Sequence, residues 1–280
     1  MTYQKIVSEI TSMYEKAEYE NASVEAENLV IEVLDIRRSE FYMRKIMQMS
    51  PSKEEEALLF KAAEKHLHFC PLQYITGRAY FRNLVLDVNP GVLIPRFETE
   101  ILVDHALAEV PENGRLLDVG TGSGAIAIAC ASEREDISVL AVDISEKALD
   151  TAEKNAKKHG VQNISFRKSD LCSAINEDEK FDVVAANLPY VTFAEYETLH
   201  KQVRDWEPQL ALTAEDEGLQ LINILCCKLD SLLTENGFAI LEMSPHQTQK
   251  VRANLEKLNF RAQIIQDYTG RDRFVSAKRK

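Results

Sequence analysis

The spacing of apolar residues divides the chain into two parts. Up to about residue 70, apolar residues recur at helical spacing. In the segment SVEAENLVIEVLDI, one helix face is expected to carry Val24, Leu29, Val33 and Ile36, with acidic residues opposite. This pattern predicts a small N-terminal α-helical bundle over residues 1–72. No motif that carries chemistry falls in it, so we expect a role in recognition or packing.

After about residue 72 the pattern changes to alternating apolar and polar positions. Apolar residues alternate from Leu84 to Val88, the turn-forming sequence Asn-Pro-Gly follows at 89–91, and a second apolar run covers 92–94. Gly and Pro between two such runs are typical of a hairpin turn. We therefore predict a β-hairpin linker over residues 73–97 that joins two domains.

From residue 98 onward, short apolar strands alternate with helical segments. The strands are RLLDVG, ISVLAVD, ISFRK, FDVVAAN and GFAILEM. Such alternation predicts an α/β fold over residues 98–280, with a doubly wound, mostly parallel sheet. The last two strands, FRAQIIQD and RFVSAK, have no helical pattern between them and predict an antiparallel hairpin at the sheet edge. Helices are predicted from Gly124, from Ser145, around 217–234 and, with an N-cap and N1 pair, from Ser244-Pro245.

Composition and charge narrow the possible functions. The chain has 280 residues, of which 45% are hydrophobic and 28% charged, without an apolar run long enough for a membrane span or a signal peptide. We therefore expect a cytoplasmic protein. The net charge of −12 disfavours non-specific binding to nucleic acid. The cysteine and histidine spacings fit no metal site, so no metal is predicted.

A glycine-rich loop follows the first strand of the sheet. In LLDVGTGSGAIAIA, Gly120, Gly122 and Gly124 lie between an apolar strand and an apolar helix, where glycine allows a sharp turn and the close approach of a ligand. Asp143 ends the second strand, 19 positions after Gly124, where its carboxylate can accept hydrogen bonds from ribose hydroxyls. Asp118, inside the first strand, is expected to fix the loop or to face a cation.

The spacing of the loop argues against a nicotinamide dinucleotide. That cofactor requires G-x-G-x-x-G, whereas here Thr121 and Ser123 separate the glycines as G-x-G-x-G. The pattern resembles the S-adenosylmethionine loop of class I methyltransferases. By that resemblance, Asp170 and Leu171 at the end of the third strand border the adenine ring of the cofactor.

The fourth strand ends in a tetrapeptide suited to hold an acceptor nitrogen. It consists of Asn187, Leu188, Pro189 and Tyr190. Ligands of such sheets bind beyond the carboxyl ends of the strands. A nitrogen that carries two hydrogens needs two acceptors, which the Asn187 Oδ1 and the Leu188 carbonyl can supply. Pro189 stiffens the chain and Tyr190 offers a ring face. The chemistry needs no strong base, because the methyl group to be transferred starts on a cation.

Seven segments of the chain share one family pattern: PLQYITG, PGVLIPRFETEILV, LLDVGTGSGAIAIA, AVDIS, NLPY, EPQLALT and GRDRFV. Together they resemble the bacterial release factor glutamine methyltransferases, the HemK/PrmC family. The resemblance implies a class I methyltransferase-type fold and methylation, by S-adenosylmethionine, of the side-chain amide of the glutamine in the Gly-Gly-Gln motif of peptide chain release factors. By position, Gly120 to Gly124, Asp143 and Leu171 bind the cofactor, with Asn187 beside it, and Asn187 to Tyr190 bind the glutamine. Phe81, Arg96 and Glu98 line the mouth of the site.

Two positions depart from the family pattern and leave alternatives open. Leu188 and Phe97 stand where the family usually has proline, although Leu188 keeps the backbone carbonyl. The sequence NLPY also resembles the motif of ribosomal RNA adenine dimethyltransferases. One alternative is therefore an adenine amino methyltransferase acting on RNA or DNA, and another is a cofactor-binding scaffold without turnover. The acidic charge, the helical domain and the linker favour release factors as the partner over nucleic acid.

Overall fold

A computed structural model describes the whole chain, residues 1–280. None of its helices is long and apolar enough to span a membrane. A short 3-10 helix covers Gln209–Ala211. The helices are α1 (Tyr3–Lys16), α2 (Ala22–Leu34), α3 (Arg38–Ile46), α4 (Lys53–Leu67), α5 (Leu72–Thr76), α6 (Thr99–Glu109), α7 (Ala125–Glu133), α8 (Glu146–Lys158), α9 (Phe193–Tyr196), α10 (Lys201–Arg204), α11 (Glu215–Gly218), α12 (Gln220–Leu232) and α13 (Thr248–Lys257). The strands are β1 (Arg78–Phe81), β2 (Leu84–Asp87), β3 (Arg115–Val119), β4 (Ser138–Asp143), β5 (Ile164–Lys168), β6 (Phe181–Ala186), β7 (Leu233–Glu242), β8 (Phe260–Gln266) and β9 (Asp272–Arg279).

The first structural unit is helical and consists of residues 1–77 together with residues 200–206. Its core is formed by the apolar faces of α1, α2 and α4. A capping box at the start of α4 pairs Ser52 with Glu55, which satisfies amide donors that have no partner within the helix. The helical bundle predicted from the sequence is present, but a short segment from much later in the chain joins it: the Trp206 Nε1–H donates to the His68 carbonyl at 2.9 Å.

The second unit contains a seven-stranded sheet with the order β5-β4-β3-β6-β7-β9-β8. Neighbouring strands from β5 to β7 are parallel, whereas β9 pairs antiparallel with both β7 and β8. The predicted α/β fold with an antiparallel edge hairpin is confirmed. The second strand of the hairpin, β9, lies inside the sheet and the first, β8, forms the edge.

Helices cover both faces of the sheet because the central strands carry apolar side chains in both directions. In β3, Leu116 belongs to the apolar cluster that contains α6 and α7 on one face, and its neighbour Leu117 belongs to the cluster that contains α12 and α13 on the other. Leu116 and Leu117 are both fully buried. This burial fixes the carboxyl ends of β3, β4 and β6 along one edge of the sheet, where the candidate site lies.

The β-hairpin exists, but its turn is not where the sequence predicted it. Phe81 pairs with Leu84, so residues 82–83 make the connection, and residues 92–94 form no strand. This register buries the side chains of Phe81, Leu84 and Leu86 together, which outweighs the turn signal at 89–91. The hairpin is also part of the second unit and not a separate linker, because the backbone N–H of Asp87 donates to Asn155 Oδ1 of α8 at 2.7 Å.

The last helix begins later than predicted. Helix α13 begins at Thr248 rather than at Pro245. The Gln247 N–H donates to the Ser244 carbonyl at 3.0 Å, and Gln247 Oε1 accepts from the Ser244 N–H at 3.0 Å. These two bonds close a turn ahead of the helix, so Ser244 does not act as its N-cap.

Candidate active site

A cavity of about 340 Å³ opens at the carboxyl ends of β3, β4 and β6. Loops that follow these strands, together with the loop after β5, form much of its wall, as expected for a ligand site in a parallel sheet. Eight of the residues predicted from the sequence line it together: Gly120, Gly122, Asp143, Asp170, Leu171, Asn187, Leu188 and Pro189.

The glycine loop brings bare backbone to the cavity wall. Gly120 and Gly122 have φ angles of +78° and +57°, a region that other residues rarely adopt. A Cβ atom on Gly120 would lie 3.0 Å from Leu188 Cδ2, so the loop and the tetrapeptide are in close contact. A Cβ atom on Gly122 would meet nothing within 4 Å, which leaves open space in front of this backbone for a ligand.

The other loop residues hold its shape and do not line the cavity. Thr121 donates from Oγ1 to Asp118 Oδ2 at 2.7 Å, and the Ser123 carbonyl accepts from Asn155 Nδ2 at 2.9 Å. Gly124 is the N-cap of α7, where a Cβ atom would lie 2.6 Å from Ile128 Cδ1. Burial raises the pKa of Asp118 to about 7, while the Thr121 hydrogen bond acts against this rise. Asp118 therefore fixes the loop, one of the two roles expected for it.

Asp143 presents an oriented carboxylate to the cavity. Its Oδ2 accepts from the Gly122 N–H and its Oδ1 from the Ser145 N–H, both at 2.9 Å. Burial raises its pKa, and the backbone hydrogen bonds oppose that rise. The group is thus held between the glycine loop and the start of α8, with its charged edge available to hydroxyl donors.

The tetrapeptide is anchored on both sides. Asn187 donates from Nδ2 to Thr99 Oγ1 at 3.1 Å, and the Tyr190 carbonyl accepts from Gln247 Nε2 at 2.9 Å. The Leu188 side chain is 4% exposed and packs toward Gly120. Burial, and next the nearby Glu242 carboxylate, raise the pKa of Tyr190 to about 12, so this phenol keeps its proton. These contacts fix the tetrapeptide, of which Asn187, Leu188 and Pro189 line the cavity. Tyr190 does not line it and packs against the apolar core instead.

Comparison with known proteins places this geometry in a family. Residues 111–258 match the family described as a methyltransferase domain, and residues 5–77 match the PrmC N-terminal domain. A release factor glutamine methyltransferase of Fusobacterium nucleatum is 35% identical over 92% of this chain and 74% of its own length. One from Lactococcus lactis is 41% identical over 80% of this chain and 84% of its own.

This chain belongs to the release factor glutamine methyltransferase family. It therefore contains an S-adenosylmethionine-dependent methyltransferase domain, as the sequence predicted. Among solved structures, the ribosomal protein L11 methylase of Lactobacillus delbrueckii subsp. bulgaricus has a TM-score of 0.53 and 25% identity, covering 72% of this chain and 98% of that one. This similarity supports the class I methyltransferase fold.

The three residues predicted at the mouth of this family's site differ in their placement. Phe81 is 1% exposed and packs in the core with Leu84 and Leu86, so it does not line the mouth, contrary to the expectation. Its apolar ring is used to anchor the hairpin. Arg96 pairs with Glu207 Oε1 at 2.5 Å, and Glu98 immediately precedes α6. For Arg96 and Glu98, a role at the mouth stays a prediction.

Sequence reasoning missed a large part of the cavity wall. The segment 90–93, which had been predicted as a hairpin turn and the following strand, lines the cavity, and so do residues after β4 and β5 and residues before α12. A signal was present in EPQLALT, a segment that resembles the family but received no role. The missed residues are Pro90, Gly91, Val92, Leu93, Val119, Ile144, Ser145, Lys147, Ala148, Ser169, Pro208, Leu210, Ala211 and Leu221.

Proposed function

We propose that this protein transfers a methyl group from S-adenosylmethionine to the side-chain amide nitrogen of the glutamine in the Gly-Gly-Gln motif of peptide chain release factors. One observation carries the proposal: the glycine loop and the Asn187–Pro189 segment line the same cavity. The curated relatives that match most of the chain are named release factor glutamine methyltransferases, which favours glutamine over adenine as the acceptor.

The residues present fit the cofactor. The uncrowded backbone at Gly122 and the oriented carboxylate of Asp143 would hold its polar part, since a carboxylate can accept hydrogen bonds from two ribose hydroxyls. Asp170 and Leu171, which follow β5 on the same wall, would border the adenine ring. When bound, S-adenosylmethionine supplies an electrophilic methyl group on a positively charged sulfur.

The tetrapeptide would orient the acceptor amide. Asn187 Oδ1 accepts one hydrogen of the glutamine side-chain nitrogen and the Leu188 carbonyl accepts the other, which aligns this nitrogen with the methyl group. Tyr190 and Pro189 restrict the position of the side chain. Amides are poor nucleophiles, so the acceleration comes mainly from alignment, which is worth roughly 7–11 kcal/mol in well-oriented systems. As the nitrogen–carbon bond forms, the bond between the methyl carbon and the sulfur would break, leaving the neutral thioether S-adenosylhomocysteine, and one of the two nitrogen-bound protons would pass to solvent.

The function is tested by following a labelled methyl group. The protein is incubated with S-adenosylmethionine labelled in the methyl group and with a purified release factor, and the labelled residue is identified by mass spectrometry. We expect the label on the glutamine of the Gly-Gly-Gln motif. The matched control is the same release factor with that glutamine replaced by alanine, which should accept no label.

Two results would contradict the proposal. Label that appears in ribosomal RNA or DNA and not in the release factor would favour the alternative function, an adenine amino methyltransferase. Tight cofactor binding without any labelled acceptor, both in the parent protein and after Leu188→Pro, would favour a scaffold without turnover.

A further inference from the structure

We infer that Thr99 and Glu242 are positioning residues that determine which end of the Asn187 side-chain amide faces the substrate. The inference rests on the proposed methyl transfer and assigns to it two residues outside the glycine loop and the tetrapeptide.

Three polar side chains from distant parts of the sequence form one hydrogen-bonded chain. Asn187 donates from Nδ2 to Thr99 Oγ1 at 3.1 Å, and Thr99 donates from Oγ1 to Glu242 Oε2 at 2.8 Å. Thr99 is the first residue of α6 and Glu242 is the last residue of β7. Thr99 is 4% exposed and Glu242 is 2% exposed, so water does not compete for these contacts.

The direction of the chain follows from counting protons. An ionised carboxylate only accepts hydrogen bonds, and a threonine hydroxyl has a single hydrogen to donate. With Glu242 ionised, that hydrogen goes to the carboxylate, and Thr99 Oγ1 is left to accept from its other neighbour. Asn187 must then turn its NH₂ group to Thr99. Its carbonyl oxygen Oδ1 is thereby directed away from Thr99, toward the cavity that Asn187 lines.

This orientation matters because the two ends of an asparagine amide have almost the same shape. Packing alone does not distinguish them, whereas hydrogen bonding does. The acceptor nitrogen of the substrate carries two hydrogens and needs an oxygen opposite one of them. An inverted Asn187 would present N–H groups to N–H groups. Fixing the amide beforehand removes the cost of selecting the productive orientation in each catalytic cycle.

The charge on Glu242 is set by the groups around it. Burial raises its pKa to about 7, the Thr99 hydrogen bond and the cations Arg273 and Arg96 act against that rise, and the nearby Glu98 adds to it. Tyr190 is also close, but it keeps its proton at these pH values. A protonated Glu242 can itself donate to Thr99, which frees the threonine hydrogen to point at Asn187 and permits the inverted amide. Turnover should therefore rise with pH as Glu242 ionises.

The test compares substitutions that remove the hydroxyl, keep it, or neutralise the carboxylate. Thr99→Val should lower kcat for release-factor methylation at least tenfold while the dissociation constant of S-adenosylmethionine changes less than twofold, and Thr99→Ser should restore most of the activity. Glu242→Gln, which can either donate or accept, should lower kcat and abolish its rise with pH. The matched control is Thr248→Val, because Thr248 is also the buried first residue of a helix and donates to the Pro245 carbonyl. It should leave kcat unchanged.

Several results would overturn the inference. Wild-type kcat in Thr99→Val, or the same loss of kcat in Thr248→Val, would show that the Thr99 hydroxyl does not orient Asn187. A pH profile in Glu242→Gln equal to that of the parent would exclude Glu242. If the parent protein itself labels no release factor, the proposed function fails and the inference falls with it, whereas an active parent with unaffected variants overturns the inference alone.

Discussion

Replacing Gly218 with alanine is expected to displace the carbonyl of Tyr190 and thereby to lower both stability and methyl transfer. Gly218 has a φ angle of +78°. A Cβ atom there would overlap the Tyr190 carbonyl oxygen and lie 2.6 Å from Gln247 Nε2. The Gln247 amide donates to the Tyr190 carbonyl and to the Glu217 carbonyl, each at 2.9 Å. The substitution therefore disturbs the anchor that holds the end of the tetrapeptide.

The structure offers a matched control that separates this overlap from the effect of the φ angle. Gly270 has a φ angle of +80°, and a Cβ atom there would meet nothing within 4 Å. Gly270→Ala should lower the free energy of unfolding by about 1–2 kcal/mol, the strain of a left-handed backbone conformation in a residue with a Cβ atom. Gly218→Ala adds about 1–3 kcal/mol for overpacking and about 1 kcal/mol for each weakened hydrogen bond. The free energy of unfolding should thus fall by about 3 kcal/mol or more.

Urea denaturation followed by circular dichroism gives the free energy of unfolding of both variants. Release-factor methylation is then measured on the folded fraction. A displaced acceptor site should reduce turnover in Gly218→Ala, by roughly 100-fold for a shift of about 1 Å, and leave Gly270→Ala near the parent. Equal losses of stability in the two variants would refute the reasoning, because the overlap at Gly218 would then have no effect on the fold.

Three further predictions follow from the site. Asn187→Ala should lower kcat by about 10²–10³-fold, the effect of removing one oxyanion-hole donor from other enzymes. Cofactor affinity, measured by calorimetry, should change little. An equal loss of kcat and of cofactor affinity would show that Asn187 supports the fold instead. Asp143→Asn should weaken cofactor binding by about 10–100-fold, whereas the exposed Glu146→Gln should not, and similar values for the two would refute the role of Asp143. Because burial raises the pKa of Glu242 from 4.5 to about 7, the folded state keeps a proton that the unfolded chain has released. The free energy of unfolding should therefore fall as pH rises from about 4.5 to 7, by roughly 3 kcal/mol from this residue. Denaturation series at several pH values should show a shallower fall in Glu242→Gln.

Local sequence signals were sufficient for the architecture of the second unit. The continuous apolar runs of β3, β4 and β6 predict buried parallel strands, and the glycine loop after β3 marks the ligand edge of the sheet. These features depend on short-range spacing. The tetrapeptide after β6 is also a local signal, but its place beside the glycine loop depends on the parallel pairing of β6 with β3, which only the structure shows.

Other features depend on contacts that no local signal reveals. The turn signal at 89–91 is stronger than that of Arg82 and Asn83, yet the hairpin turns at 82–83 because this register buries Phe81 with its neighbours. The chain from Asn187 through Thr99 to Glu242 joins residues 88 and 143 positions apart. Single residues of these types are common in any sequence, so only the folded chain shows that they meet.

The close approach of Leu188 to Gly120 couples the glycine loop to the tetrapeptide, the two segments that face each other in the cavity wall. A Cβ atom on Gly120 would already lie 3.0 Å from Leu188 Cδ2. A larger residue at position 120 therefore requires a change at position 188, and a residue of different shape at 188 changes the space at 120. With the proposed roles of these two residues, we therefore expect affinity for the methyl donor and affinity for the methyl acceptor to change together. Selection or engineering aimed at one of them should repeatedly yield paired substitutions at these two positions.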